Sequence, residues 1–360
     1  MFSPSEFREL VSGRRRGVAA IAMRGALRAG EVGYAAAMQW RNRRYDSGRA
    51  EIVRVEVPVV SVGNLTLGGT GKTPMVEWLA RWYRARGVRV TLVSRGYGAE
   101  QGARNDEALE LEQRLPDVPH VQNADRVAAA QLAIEEFECQ LIVLDDGFQH
   151  RRLARDLDLV LIDALEPFGF EHVFPRGTLR EPLAGLRRAD VVALSRADMV
   201  TADERRRIES RVRQLAPRAL WCEVVHQPCR LVSAEGLEEP IESLAGRRVA
   251  AFCGIGNPAG FRHTLDRAGA QVIEFREFAD HHSYCRGDVE ALAKWADTPD
   301  VEMVVCTSKD FVKLRIDRLG GRPLWALMIE LEIVVGRGEL EERLGAFLLN
   351  RPPREQGRYG

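Results

Sequence analysis

The chain has 360 residues, and its 52 basic and 52 acidic side chains give a formal net charge of zero at neutral pH. This length allows two domains with substantial cores, and the balanced charge gives no indication of a nucleic-acid partner. The six cysteines are scattered without a Cys-x-x-Cys pair, which argues against a zinc ribbon or a disulfide framework and favours reduced thiols in the cytoplasm.

The N-terminal segment departs from this neutral balance, because residues 1–54 contain eleven arginines, no lysine and only five acidic residues. Residues 17–40 have helical periodicity, and one face carries small and apolar side chains: Val18, Ala22, Gly25, Ala29, Val32, Ala36 and Trp40. The uncharged stretches are shorter than the ~18 residues that span a bilayer, and the compact apolar core of a signal peptide is missing. A basic amphipathic helix of this kind either lies in an anionic membrane surface or packs on the protein's own core.

A strand, a glycine-rich loop and a helix follow. The apolar, β-branched run at residues 57–62 ends in the loop, and Pro74 then opens a helix that we expect to extend to about residue 86. Such a joint holds nucleotide phosphates, since loop N–H groups and the positive end of the helix dipole face the anion. The predicted phosphate-binding residues are Gly68, Gly69, Thr70, Gly71, Lys72 and Thr73. In this arrangement the lysine reaches the β- and γ-phosphates, and the threonine hydroxyl binds Mg²⁺.

The loop differs from the standard G-x-x-x-x-G-K-[ST] pattern in having Thr66 at the first glycine position. The alternative is a strand–turn–helix joint that contains Gly-Lys-Thr without binding a nucleotide. The strand before the loop and the helix after it favour the phosphate site.

Strands and helices alternate along the rest of the chain. Further strands are predicted at residues 88–94, 141–144, 157–162 and 191–194, with a helix at 125–138, and later strands at 249–253, 271–275, 303–306 and 325–333. This alternation predicts an α/β fold with a parallel sheet and helices on both faces. We expect an N-terminal membrane-associating helix in residues 1–48, a P-loop NTPase-type kinase domain in 49–222, a second, smaller α/β domain in 223–335, and a C-terminal helix and tail in 336–360.

Two adjacent carboxylates, Asp145 and Asp146, follow the strand predicted at residues 141–144. A carboxylate at a strand end opposite a phosphate loop holds Mg²⁺ directly or through water, so Thr73, Asp145 and Asp146 are the predicted metal ligands. A paired-Asp turn cap is the structural alternative.

Three later motifs could carry chemistry. Asp280, His281 and His282 could supply an acid–base pair, or they could be a loop of histidines with satisfied hydrogen bonds. Lys309 and Asp310 follow a predicted strand, where a helix N-terminus with surface charges is the alternative. The glycines at residues 254–260 have the spacing G-x-G-x-x-x-G, which we interpret as a backbone turn and not as an NAD site.

Taken in order, these motifs resemble the tetraacyldisaccharide 4′-kinase (lipid A 4′-kinase) family. The motifs that carry the resemblance lie at residues 61–74, 94–98, 145–150, 179–182, 254–258, 278–282 and 308–310. The resemblance implies a membrane-associated P-loop kinase that transfers the γ-phosphate of ATP, with Mg²⁺, to the 4′-hydroxyl of a tetraacylated glucosamine disaccharide. It also implies a peripheral or monotopic location at the cytoplasmic face of the bacterial inner membrane, with no nucleic acid and no obligate protein partner.

The resemblance further implies catalytic residues. The family's catalytic base is the Asp of a Gly-Asp-Glu motif, which corresponds here to Asp106 after Asn105, and its partner histidine corresponds to His281. With Lys72 at the phosphates, these are the predicted catalytic residues, and the cleft between the two domains is the expected site, gated by domain closure. The family pattern usually has Glu at the position of Ser308, and Pro175 begins a loop that also departs from it.

Two other classes of protein remain open at this point. A P-loop ATPase or GTPase switch would act with a protein partner at the membrane, and Ser195-Arg-Ala-Asp198 is a distant match to a guanine-reading Asn-Lys-x-Asp motif. A non-enzymatic membrane adaptor would explain the basic helix, but it would leave the phosphate loop and the paired aspartates without a role.

Overall fold

Helices and strands account for most of the computed structural model, which describes residues 4–96, 106–280, 282–314 and 316–349. The α-helices in this part of the chain are α1 (Pro4–Val11), α2 (Val18–Asp46), α3 (Lys72–Arg84), α4 (Asp106–Arg114), α5 (Arg126–Phe137), α6 (Ala202–Leu215), α7 (Pro258–Arg267), α8 (Arg286–Ala296), α9 (Ser308–Leu314) and α10 (Arg337–Leu349). The strands are β1 (Val59–Asn64), β2 (Val90–Ser94), β3 (His120–Gln122), β4 (Leu141–Asp145), β5 (Leu157–Asp163), β6 (Val191–Ser195), β7 (Leu220–Val232), β8 (Glu238–Pro240), β9 (Arg248–Cys253), β10 (Gln271–Glu277), β11 (Met303–Thr307), β12 (Arg318–Leu319) and β13 (Arg322–Val335).

All thirteen strands belong to one sheet, whose main path runs β10-β9-β11-β13-β7-β6-β5-β1-β4-β2-β3. Strand β1 lies between β4 and β5 and pairs with both in parallel. The predicted parallel α/β sheet is therefore confirmed for this part of the molecule. Because parallel strands end at the same edge, the loop after β1 and the carboxylates after β4 are neighbours.

Strand β7 links the two halves of the sheet. Its first residues pair in parallel with β6, and its later residues pair antiparallel with β13 over the register Glu223↔Val335 to Val232↔Ala326. The predicted domain boundary after residue 222 falls inside this strand. Strands from both predicted domains share the sheet. The division of the chain into domains stays a prediction.

Apolar helix faces cover both sides of the parallel strands. On one side, Met75, Leu79 and Tyr83 of α3 pack with Val60 and Val62 in a core that also includes α10. On the other side, the opposite faces of β5 and β6 pack against the 3₁₀ helix Leu183–Arg188 and α6. The β-branched runs of the sequence form strands here because both of their faces are buried.

The N-terminal helix α2 extends further than predicted, to Asp46, and buries a different face from the apolar one found in the sequence. The side chains that turn toward the protein include Ala20, Glu31 and Ala35. Every position of the predicted apolar face is exposed, including Val18, Val32 and Trp40. Within the described residues, no helix has both the length and the apolar character that crossing a membrane requires.

Candidate active site

The phosphate loop connects β1 to α3 and has the backbone that an anion cradle needs. Gly71 adopts φ 85° and ψ 28° just before Lys72, where α3 begins, and no side chain in the described part of the chain caps this helix end. A Cβ atom on Gly71 would stand 2.8 Å from Nε2 of His226 and 2.9 Å from Oγ of Ser195. Only glycine fits this turn, and the first N–H groups of α3 are left to face a ligand.

Two aspartates at the end of β4 lie beside this loop: Asp145 is the last residue of the strand, and Asp146 follows it. Asp145 pairs in register with Val62 of β1, and Asp146 follows with a positive φ of 53°. One Asp146 oxygen is 3.5 Å from Nζ of Lys72, and Arg180 donates to both Asp146 oxygens at 2.7–2.8 Å. Burial raises the pKa of Asp146, but the charges of Lys72 and Arg180 outweigh this and hold the pKa below its usual range. Lys72 is thus held at the loop by a carboxylate that a phosphate can replace.

The oxygen donors fit a magnesium ion. Carboxylate and hydroxyl oxygens are the ligands that Mg²⁺ prefers, and Thr73, Asp145 and Asp146 supply both kinds at one edge of the sheet. Asp146 is the neighbour of Lys72, and Lys72 directly precedes Thr73. The individual ligand roles of these three residues stay predictions.

Arg196 supports the loop from the end of β6, a role that the sequence analysis missed. Its Nε donates to Asp163 at 3.0 Å, and its Nη2 donates to the backbone oxygen of Gly69 at 2.9 Å. In the sequence, residues 195–198 resemble a guanine-reading motif only distantly. Its Asp198 instead pairs with Arg267 at 2.6 Å and with His263 at 3.2 Å. The motif therefore braces the phosphate loop.

Loops from the second half of the sheet border the same site. A Cβ atom on Gly256 would stand 3.1 Å from the backbone nitrogen of Gly69 and 3.1 Å from an Asp280 carboxylate oxygen. Lys309 forms an ion pair of 3.3 Å with Asp280. The residue that precedes His281 is therefore close to the phosphate loop.

Asp310 fixes these loops in place. It is fully buried, and its carboxylate accepts hydrogen bonds from the Gly254 N–H at 3.0 Å, the Tyr284 hydroxyl at 2.9 Å and the Thr307 hydroxyl at 2.6 Å. Burial raises its pKa despite these bonds. The 254–258 segment is a turn that leads into α7, with Asn257 as the helix cap, in agreement with the sequence interpretation.

The predicted base and its partner are only partly covered by the structure. Asp106 is the first residue of α4, but its side chain is not among the described ones. His281 lies outside the described residues, as do Tyr97, Gly98 and Asn105. The pairing of Asp106 with His281 stays a prediction.

A buried charge cluster, formed by Glu77, Glu110, Arg114 and Ser308, connects the helices around the site. The Arg114 guanidinium donates to Glu77 at 2.8 Å and to the Ser308 hydroxyl at 2.8 Å, and it lies 3.2 Å from Glu110. Ser308 also donates to Glu110. The cluster joins α3, α4 and α9, so it links the phosphate loop, the helix that begins at Asp106 and the helix that carries Lys309. No local pattern in the sequence indicates this cluster, because its members include residues that lie far apart along the chain.

The imidazole of His226, whose Nε2 atom is buried beneath the loop, predicts a loss of stability in acid. Burial, with a further contribution from Arg196, lowers the pKa of His226 from 6.5 to about 4. Between these two pH values the unfolded chain binds more protons than the folded one, so stability present above pH 6.5 is lost as the pH falls toward 4. His226→Gln should remove up to about 1.4 kcal/mol per pH unit from the slope of unfolding free energy against pH. Urea unfolding from pH 7 to 4.5 measures this, and equal slopes in both proteins would contradict the assignment.

The parallel sheet, the glycine loop that opens α3 and the acidic strand end define a P-loop nucleotide-binding protein. The sequence model of a family described as "LpxK: Tetraacyldisaccharide-1-P 4'-kinase" matches residues 23–349. The chain therefore belongs to the tetraacyldisaccharide-1-P 4′-kinase family, and it is a kinase.

Individual relatives agree with this membership. The tetraacyldisaccharide 4′-kinase of Anaeromyxobacter sp. (strain K) is 40% identical over 341 residues, which cover 89% of this chain and 90% of that protein. The tetraacyldisaccharide 4′-kinase of Syntrophus aciditrophicus is 37% identical over 317 residues, or 81% of this chain and 85% of that protein. The crystal structure of LpxK from Aquifex aeolicus in complex with ATP superposes with a TM-score of 0.71 at 29% identity, covering 90% of this chain and 99% of that one.

Proposed function

We propose that this kinase uses ATP and Mg²⁺ to phosphorylate the 4′-hydroxyl of tetraacyldisaccharide 1-phosphate at the cytoplasmic face of a bacterial inner membrane. The observation that carries the proposal is the phosphate loop with Lys72 held against Asp146, within a chain that matches the kinase family from residue 23 to residue 349. The switch alternative is not favoured, because Asp198 of its candidate guanine reader is engaged by Arg267 and His263.

In the proposed reaction, the loop N–H groups and Lys72 bind the β- and γ-phosphates, and Lys72 exchanges its contact with Asp146 for a phosphate oxygen. The oxygen of the sugar hydroxyl attacks the γ-phosphorus, and a new O–P bond forms. The bond from the γ-phosphorus to the β–γ bridging oxygen breaks, and ADP leaves with the electron pair. The hydroxyl proton passes to the carboxylate of Asp106, which His281 orients.

Bound Mg²⁺ would neutralise charge on the phosphates, and Thr73, Asp145 and Asp146 are the residues that would hold it. The close approach of Gly256 to both Gly69 and Asp280 supports this proposal, because it brings the residue before His281 near the phosphate loop.

A transfer assay tests this function. Labelled ATP is incubated with tetraacyldisaccharide 1-phosphate in detergent micelles, beside a reaction without lipid and a Lys72→Met control. We expect labelled lipid only when lipid and wild-type protein are both present. Equal release of labelled phosphate with and without lipid would instead indicate a nucleotide switch.

The exposed face of α2 supports docking on a membrane. Val18, Ile21, Val32 and Trp40 are large apolar side chains exposed by 62–84% on this helix. Arg44 stacks over the Trp40 ring at 5.1 Å, next to the exposed Arg43. Apolar side chains flanked by arginines are typical of a helix that lies in an anionic interface.

The six cysteines are all free thiols, which agrees with a cytoplasmic location.

Removal of the apolar face should weaken membrane binding without changing the chemistry. We expect Val32→Ser with Trp40→Ser to weaken binding to phosphatidylglycerol-containing vesicles by ~10²-fold, since each side chain gains about 1.5 kcal/mol or more on burial. The matched control is Leu132→Ser with Phe137→Ser, which removes two exposed apolar side chains of α5. Cosedimentation with vesicles measures the effect, and transfer to lipid in micelles should stay unchanged. Similar vesicle binding by both double variants would rule out docking through α2.

A further inference from the structure

Helix α1, the first element of the chain, is docked beside the phosphate loop. Leu10 and Val11 at its C-terminal end are buried, and Arg176 donates to the Val11 carbonyl at 2.9 Å. Phe7 contacts the Phe174 ring at a centroid distance of 6.4 Å. These contacts fix the position of a short helix that would be marginal in isolation.

This docking places Arg8 at the mouth of the loop. A Cβ atom on Gly68 would stand 3.2 Å from Nη2 of Arg8, so the guanidinium lies directly against the backbone of Gly68, three residues before Gly71. Arg8 is also 3.6 Å from Glu166, which accepts a hydrogen bond of 2.6 Å from the Thr178 hydroxyl. The Thr178 carbonyl in turn accepts from the N–H of Leu67, the neighbour of Gly68, so the same segment positions Arg8 and the loop.

The other described cations near the loop are already engaged. Lys72 and Arg180 pair with Asp146, and Arg196 pairs with Asp163 and holds the Gly69 carbonyl. Arg8 differs, because its ion pair with Glu166 is long and 44% of its side chain is exposed. An ion pair this long and this exposed is weak, so Arg8 can turn from Glu166 to a phosphate oxygen at small cost.

We propose that Arg8 is a catalytic residue that binds the γ-phosphate of ATP and stabilises the transferring phosphoryl group. The planar guanidinium can donate two parallel hydrogen bonds to a phosphate, and P-loop enzymes use an arginine from outside the loop, in cis or in trans, for this purpose. Arg8 forms no covalent bond and moves no proton in this role. The inference rests on the proposed kinase reaction. It goes beyond family membership, because Arg8 lies outside residues 23–349, which the family model matches.

This role also connects the membrane-proximal part of the chain with the chemistry. Helix α1 is held against α2 by the Arg24 guanidinium, which donates to the Leu10 carbonyl at 3.3 Å and to the Arg15 carbonyl at 2.9 Å. The helix that carries the exposed apolar face thus also positions the arginine at the phosphate loop.

Nucleotide binding tests the inference without any lipid acceptor. Calorimetry with Mg²⁺ should compare ADP with the non-hydrolysable analogue AMP-PNP for wild type, Arg8→Ala, Arg8→Lys and the matched control Arg14→Ala, which removes an exposed arginine from the same segment. We expect Arg8→Ala to bind AMP-PNP ~10-fold more weakly, as charge-assisted hydrogen bonds to the γ-phosphate are lost, while ADP affinity stays unchanged. The AMP-PNP affinity of Arg8→Lys should lie between those of Arg8→Ala and wild type, and the affinity of Arg14→Ala should equal that of wild type. An unchanged ratio of AMP-PNP to ADP affinity in Arg8→Ala would overturn the inference.

Turnover supplies the second readout. At saturating ATP and lipid in micelles, Arg8→Ala should lower kcat by ~10²–10³-fold, the usual cost of removing one preorganised group that stabilises transition-state charge. Arg14→Ala should keep wild-type kcat. If Arg8→Ala and Arg14→Ala lose activity equally and only on vesicles, Arg8 acts through the membrane and the inference is wrong. A wild-type protein that transfers no phosphate to lipid would contradict the proposed function, whereas the nucleotide-binding comparison would still decide the role of Arg8.

Discussion

Replacement of Asp106 by alanine is expected to lower kcat by ~10²–10⁴-fold and to leave ATP binding nearly intact, because a positioned general base contributes about this much to proton transfer. Asp106 begins α4, whose later residues Glu110 and Arg114 belong to the buried charge cluster, so the helix start has a firm anchor. The measurement is kcat for transfer at saturating ATP, together with a calorimetric dissociation constant for AMP-PNP.

The control for this variant is Glu112→Gln, which neutralises another acidic residue of the same helix and should keep near-wild-type turnover. His281→Ala should lower kcat less than Asp106→Ala does, and the double variant should cost little beyond the single Asp106 change if the two residues act as one unit. Turnover of Asp106→Ala close to the wild-type value would refute the base assignment.

Arg114→Met is expected to destabilise the protein by about 3–5 kcal/mol, because it removes the partner of two buried carboxylates. The Arg114 side chain is only 6% exposed, and its guanidinium contacts Glu77 at 2.8 Å and Glu110 at 3.2 Å. The attraction of both carboxylates raises the pKa of Arg114 although burial opposes its charge. Methionine replaces the apolar stem of the arginine and carries no charge, so most of the loss would come from the uncompensated carboxylates. Urea unfolding at pH 7 measures the change.

The chain offers a matched control for this prediction. Arg81 pairs with the other oxygen of the same Glu77 at 2.8 Å, but its side chain is 48% exposed. We expect Arg81→Met to cost at most about 1 kcal/mol, since water screens and replaces an exposed ion pair. Adding Glu110→Gln to Arg114→Met should recover part of the lost stability. Equal destabilisation by the two arginine variants would show that burial does not set the strength of this cluster.

The parts of the site that could be predicted from the sequence are those formed by neighbouring residues. The phosphate loop needs a strand, glycines at fixed offsets and a helix start, and all of these lie within residues 57–86. The acidic end of β4 could be predicted for the same reason, because the apolar strand and its two aspartates are adjacent in the sequence. The structure shifts only the boundary, because α3 begins at Lys72 and takes Pro74 into its first turn, where a missing N–H costs no helix hydrogen bond.

The parts that could not be predicted depend on contacts between distant segments. The residues joined by the Arg114–Ser308 contact are 194 positions apart, and those joined by Arg196 and Gly69 are 127 apart. The sequence also gives no indication of strand β7, since its second half contains the polar residues His226 and Gln227 followed by Pro228, which break the apolar pattern of a buried strand. Burial of polar residues is decided by tertiary packing, so single-sequence patterns carry no signal for it.

The antiparallel pairing of β7 with β13 has a mechanical consequence for how substrates enter. Bending the two halves of the molecule apart at this seam would break a ladder of backbone hydrogen bonds that extends from Glu223 to Val232. Such a ladder resists opening far more than a flexible linker would. We therefore expect nucleotide and lipid to enter by movement of the loops above this pairing, such as those of Gly69 and Gly256, which lie close together. The sheet beneath these loops stays rigid.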